Sequence, residues 1–241
     1  MSDHVRDLAS VREATDRLLA AVDTLDNAAV TDPSRLPGWS RGHVLAHLAR
    51  NADALVNVLA GRPMYDSAEA RDADIERDAP RALRAQIDDV RESAQRFQSV
   101  GAVDADWSRT VELRNGVKDI AFHVPFRRWA EVELHHVDLG IGHELEDLSA
   151  EFTQREIDFL AKRFRDHPGL APLLIKQDDG RLISTGAVQA LSVKEIEDGA
   201  VPPLGVVVTG RQPDLLGWLS GRRDGAALSV DRGSLPALPP L

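Results

Sequence analysis

The feature that most restricts the fold is a recurrence. Four times before residue 140, a stretch of helical length carries apolar residues three and four positions apart and then meets proline, glycine or serine. From Asp3 to about Ala29, Leu8, Val11, Leu18, Leu19, Val22 and Leu25 mark one stripe, and nothing inside the run breaks a helix. "TDPSRLPGWS" then interrupts, with Ser40 placed to cap a second helix that continues through Val44, Leu45, Leu48, Leu55 and Leu59 and stops at Gly61. A polar loop is expected over 62–79, after which Pro80 opens a third helix closed by Gly101. Asn115-Gly116 sits at the centre of a weakly alternating stretch and reads as a hairpin or extended loop. A fourth helix is expected from about Phe122 to Leu139, with Pro125 in its first turn and Gly140 at its end. Helices of this length joined by polar connections bury their stripes as an antiparallel four-helix bundle.

The pattern changes near residue 150. One more helix, "TQREIDFLAKRFRDH", precedes Pro168-Gly169, and short strand-like pieces follow: "PLLIKQ", "LISTGAVQALSV", "LGVVVTG" and "ALSV". "RQPDLLGWLSG" interrupts them as a helix, and the proline-rich end is irregular. The expected fold is α+β: a bundle over residues 1–150 and a small mixed α/β domain over 151–241.

Charge and composition then exclude several classes of function. A net charge of −10 with no block of Lys or Arg argues against a nucleic-acid partner. The longest apolar runs are too short to cross a bilayer and "MSDHVRDLAS" has no hydrophobic signal region, so the expected location is the cytoplasm, away from membranes. A monomer is expected. The chain has no cysteine, so any metal must be held by imidazole and carboxylate, and any sulfur chemistry must use a thiol from outside.

Such a ligand set is available in "RRWAEVELHHVDLG", residues 127–140. A helix turns about 100° per residue, so Glu131, His135 and Asp138 fall on one face while Glu133 and His136 fall on the other. His136 is expected to face solvent or an interface. The second helix offers His43 and His47, also four apart. Either histidine with Glu131 and His135 makes a two-histidine, one-carboxylate set with an open position, which suits catalytic zinc or non-haem iron. Trp39 is expected to pack at the start of its helix rather than to meet substrate.

"LPGWSRGHVLAHLARNADAL" (36–55) together with "RRWAEVELHHVDLG" resembles the N-terminal domain of the mycothiol-dependent maleylpyruvate isomerases, within the DinB-like metal-binding bundles. "MYDSAEARDADI" (64–75) and "GWLSGRRDGAALSV" (217–230) also look like that family. The resemblance implies Zn2+ held by His47, Glu131 and His135, with His43 a neighbour and Asp138 orienting the ligand helix. It also implies a thiol cofactor, mycothiol or another small thiol such as ergothioneine. Its thiolate would add to the cis double bond of maleylpyruvate, a step of aromatic catabolism through gentisate, and leave after rotation to give fumarylpyruvate. Arg71 and Arg222 become the candidates for contacts with carboxylate or thiol, Arg222 as the catalytic one, which implies that the domain over 151–241 contributes to the active-site cleft. Two other readings stay open: a zinc-dependent thiol S-transferase for detoxification, and a metal-binding regulator without catalysis.

Overall fold

The computed structural model describes residues 3–165, 167–186 and 205–239. The chain divides into two compact units, Met1–His143 and Glu144–Leu241. Among the described residues no helix is long and apolar enough to cross a membrane.

The first unit is a bundle of α1 (Asp3–Val22), α2 (Arg41–Leu59), α4 (Leu83–Gly101) and α5 (Val124–Asp138), with a further helix, α3 (Ala68–Asp78), on its flank. Helix α2 packs on α4 and α5, and α1 on the same two, which closes a ring around Leu18, Val22, Leu45, Leu48, Leu55, Ile87, Val90, Phe97 and Val132. These are the residues the 3.6-residue period puts on the inner faces.

Helix α1 stops at Val22, short of the expected end near Ala29, because the Asp26 carboxylate accepts from the Ala29 backbone N–H at 3.0 Å and starts a separate 3-10 turn over Asn27–Thr31. Ser40 caps α2 as expected, and its partner in the capping box is His43: Ser40 Oγ accepts from His43 N while the Ser40 N–H donates to His43 Nδ1. The expected polar loop over 62–79 contains α3 instead. Ser67 caps it, and the run of Ala, Glu, Asp and Arg that follows favours helix without carrying an apolar stripe. Ile75 and Asp78 are its buried residues.

Helix α3 is held by polar contacts. Arg50 of α2 donates to Asp78 at 2.9 Å and to Asp89 of α4 at 2.8 Å, and the buried Gln86 donates to the carbonyls of Asp78 and Ala79 at the end of α3. Gly42 lets this end approach α2, since a Cβ there would lie 2.1 Å from the Ala79 carbonyl oxygen. Between α4 and α5, β1 (Thr110–Glu112) and β2 (Lys118–Ile120) pair antiparallel, Thr110 opposite Ile120. Asn115 and Gly116 turn the hairpin at φ 61° and 71°.

The second unit carries α6 (Ala150–Arg163), capped by Ser149, and α7 (Gln212–Leu219). Its sheet runs β4 (Leu182–Ser184), β3 (Leu173–Gln177), β5 (Val206–Gly210), β6 (Ser229–Val230) in spatial order, with β3 and β5 parallel and both outer pairs antiparallel. Leu173, Ile175 and Val208 are buried, as are Phe152, Ile157 and Leu160 of α6 and Leu215, Leu216 and Leu219 of α7. This is the mixed α/β arrangement expected after residue 150. The part of the expected strand "LISTGAVQALSV" beyond Gly186 lies outside the described residues.

Candidate metal centre

Helices α2 and α5 pack side by side and bring three side chains to one point. The ligand atoms of His47, Glu131 and His135 all lie within 4.8 Å of one another, the one such group among the described residues. Glu131 Oε2 is 3.0 Å from His47 Nε2 and 3.3 Å from His135 Nε2. Two imidazole nitrogens and a carboxylate oxygen aimed at one another form a donor set that fits a divalent ion. The three also share the protons that an ion would displace.

The hydrogen-bond partners fix the state of each ring. His135 faces acceptors at both nitrogens, since its Nδ1 lies 2.8 Å from Asp138 Oδ2 and its Nε2 is 3.3 Å from Glu131 Oε2, an arrangement that favours the charged, doubly protonated ring. Burial alone would lower the His135 pKa, but the two carboxylates reverse this and hold it above 6.5. His47 differs. Its Nδ1 receives the Arg71 guanidinium at 3.2 Å and must be an acceptor, which leaves the hydrogen on Nε2 for Glu131. Burial, with the charges of His135 and Arg71, outweighs Glu131 and lowers the His47 pKa to about 4. Glu131 is held well below the usual carboxylate range despite its burial, because both histidines donate to it.

The surroundings assign the remaining expected residues. His43 caps α2 and reaches Glu76 at 3.3 Å. Trp39 does more than pack at the start of its helix: its ring lies 5.5 Å from that of His47 and 6.1 Å from that of His43, so it walls the imidazoles. Arg71, carried by the unanticipated helix α3, touches His47 and lies 5.9 Å over the Tyr65 ring. Arg222 belongs to the second unit, in the turn after α7, where its backbone N–H donates to Gly217 O and its side chain to Ser220 O.

His136 is a correction. Expected at solvent or an interface, it is 4% exposed and stacks on His143 with ring centroids 4.0 Å apart. The same side of α5 buries Glu133, which accepts from Arg17 of α1 at 2.7 Å and from Trp129 Nε1 at 2.9 Å. Two residues near the centre had no periodic signal. Arg128 is 0% exposed and sits one turn before Glu131, and Tyr65, the chain's single tyrosine, precedes α3. A buried arginine on an amphipathic helix looks in sequence like a solvated one.

A search of the solved structures gives a crystal structure of the mycothiol-dependent maleylpyruvate isomerase and that of a histidine-to-alanine mutant of it, each at TM-score 0.82 and 23% identity, covering 99% of this chain and 97% of the other. The likeness establishes a shared fold. No curated protein matches the chain. Residues 147–240 match the family described as the MDMPI C-terminal domain. Residues 11–140, which include the whole of the His47, Glu131 and His135 cluster, match the mycothiol maleylpyruvate isomerase N-terminal domain, and the chain belongs to that family.

Proposed function

We propose that the chain is a thiol-dependent cis-trans isomerase that converts maleylpyruvate to fumarylpyruvate, using mycothiol and a divalent ion, zinc by preference, held by His47, Glu131 and His135. The observation that carries this reading is the convergence of these three side chains, from two helices, in a chain of this family without cysteine. Bound there, the ion would lower the pKa of an incoming thiol and stabilise it as the thiolate.

The protein's own groups serve that chemistry in distinct ways. Asp138 fixes the His135 ring through Nδ1 and thereby presents Nε2. Glu131 supplies a carboxylate at any pH near neutrality, and His47 a neutral ring. Trp39 and the packed helices keep bulk water from the imidazoles. Sulfur addition turns the substrate's cis double bond into a single bond, the bond rotates, and elimination of the same thiol restores the double bond as trans. No atoms are gained or lost. The substrate carries two carboxylates, and we assign Arg71 and Arg222 to contacts with them or with the thiol.

The test is isomerisation of maleylpyruvate by zinc-loaded protein without thiol, with mycothiol and with ergothioneine, alongside His47→Ala. Turnover that needs one thiol and is lost in the variant is the expected result and identifies the cofactor. Metal-loaded protein that turns over with neither thiol would overturn the proposal and favour a thiol transferase with another electrophile.

A further inference from the structure

Arg128 is the largest fully buried side chain among the described residues, and its guanidinium is only half used. Nη1 donates to the Leu48 carbonyl at 2.9 Å and to Asn51 Oδ1 at 2.8 Å, which ties α5 to α2 one residue past His47. Nε and Nη2 are buried and have no hydrogen-bond partner among the described residues. Those two N–H groups form one side of the planar fork, the side that takes a carboxylate in two parallel hydrogen bonds.

No carboxylate of the described protein fills that role. Glu131 and Asp53 are near enough to favour the Arg128 charge, but Glu131 Oε2 is engaged with His47 and His135, and Asp53 pairs with Arg50 and Arg96. Buried donors are almost always paired, and leaving a charged one unmet is among the costlier features a fold can carry. Such a group calls for a partner from outside the protein: a water, an ion or a ligand.

Position says what that is. Arg128, Glu131 and His135 are spaced i, i+3 and i+7 on α5 and share one face. Tyr65 interacts electrostatically with Arg128, Glu131 and Arg71, and it also lines a cavity of about 620 Å³ between the segment after α2 and the β1–β2 hairpin. Arg62, Arg109 and Arg114 line the same cavity against a single acid, Glu112. In a chain of net charge −10 this is a local positive field. Tyr65 is thus common to the lining of the cavity and to the surroundings of Glu131 and Arg128.

We propose that the Nε/Nη2 edge of Arg128 is a carboxylate-binding subsite, reached from the cavity past Tyr65, that holds one carboxylate of a dicarboxylate substrate beside the His47, Glu131 and His135 cluster. This deepens the isomerase reading and rests on it for the identity of the substrate. It separates the roles of the cations: Arg128, held through Nη1 by Leu48 and Asn51, offers the carboxylate an edge of fixed orientation, while Arg71 meets the ligand set directly.

The test uses maleate, a short cis-dicarboxylate that needs no thiol to bind, titrated by calorimetry into zinc-loaded protein. Wild type is compared with Arg128→Met, which keeps the stem and removes the fork, and Arg128→Lys, which keeps the charge and removes the bidentate edge. Each variant is first checked for fold by circular dichroism and for metal content. Expected are binding by wild type, about 10- to 100-fold weaker binding by Arg128→Met, and an intermediate loss in Arg128→Lys. The dimethyl ester of maleate, which has no carboxylate left for the fork, should show no difference among the three. If Arg128→Met does not fold, loss in the folded Arg128→Lys carries the same conclusion.

Absence of maleate binding by wild type, or binding unchanged in a folded, metal-loaded variant, overturns the subsite. The isomerase reading fails separately. Arg128-dependent maleate binding by a protein that never isomerises maleylpyruvate would keep the subsite and reject the isomerase. Isomerisation with a KM untouched by Arg128→Lys would do the reverse.

Discussion

Filling the metal centre should release one proton, and the count follows from the three ligand side chains. In the metal-free protein at about pH 5.5 Glu131 is already a carboxylate and His47, with its pKa lowered to about 4, is already neutral, while His135, whose pKa the Asp138 and Glu131 carboxylates raise, keeps its charge. Coordination requires a lone pair from each, so only His135 must lose its charge. His47 keeps its net charge, but the hydrogen on Nε2 moves to Nδ1, where it meets the Arg71 guanidinium, and Arg71 must let go. At about pH 5.5 zinc titrated into chelator-stripped protein should therefore displace about one proton per ion, and the apparent affinity should rise about tenfold per pH unit between about 4.5 and 6.5. Calorimetric titrations at one pH in two buffers of different ionisation enthalpy measure the number directly. A count near zero would mean that His135 is neutral without metal; a count near two would mean that His47 is charged. Either result refutes the assignment of protons made from the hydrogen-bond partners. The same shifts act on the metal-free fold in opposite senses. The raised His135 pKa stabilises it below 6.5, and that contribution is lost as pH rises through the folded value. The lowered His47 pKa costs stability as pH falls from 6.5 towards 4, because the unfolded chain then takes up a proton that the folded one refuses.

Gly42→Ala should destabilise the first unit by about 1–3 kcal/mol: the gain of about 1 kcal/mol in helix propensity is outweighed by overpacking and by strain on the Gln86 hydrogen bond to Ala79. Urea unfolding of the metal-free protein reads this, and an unchanged or higher midpoint would show that α3 is not packed on α2 as described. Asp138→Asn should leave the fold intact and weaken zinc binding about 10- to 100-fold, because the amide fixes the His135 ring less firmly and no longer raises its basicity as a ligand. Competition with a chromophoric chelator measures it, and wild-type affinity would reduce Asp138 to an end-of-helix contact.

The bundle and the shared face of Glu131 and His135 were legible because both depend on period. Leu18, Val22, Leu45 and Val90 lie where a 3.6-residue repeat puts them, and Glu131 and His135 fall on one face for the same reason. Spacing could not choose between His43 and His47, because both stand on α2 one turn apart; the choice is made by what packs opposite, the Ser40 cap for one and α5 for the other. Helix α3 escaped since it is held by Arg50, Gln86 and the absence of a side chain at Gly42 rather than by an apolar stripe. The signal that would have found it was Ser67 ahead of an unbroken run of helix formers from Ala68 to Asp78. Face arithmetic placed His136 opposite the ligands correctly but said nothing of what covers that side, and α1 with Arg17 packs there while His143 stacks on its ring.

His47 and Glu131 stand 84 residues apart in the chain, with α3, α4 and the hairpin between them. An unfolded chain that tried to bring them together would give up about 4 kcal/mol of loop-closure entropy, which leaves Glu131 and His135 as a local two-point grip. The complete grip exists only after the intervening helices have docked. Metal uptake at the proposed centre would thus work as a latch rather than a template: it would not guide the early chain, it would mark the finished bundle, and thereafter it would oppose any opening that separates α2 from α5 by an energy that grows with the logarithm of the free ion over its dissociation constant.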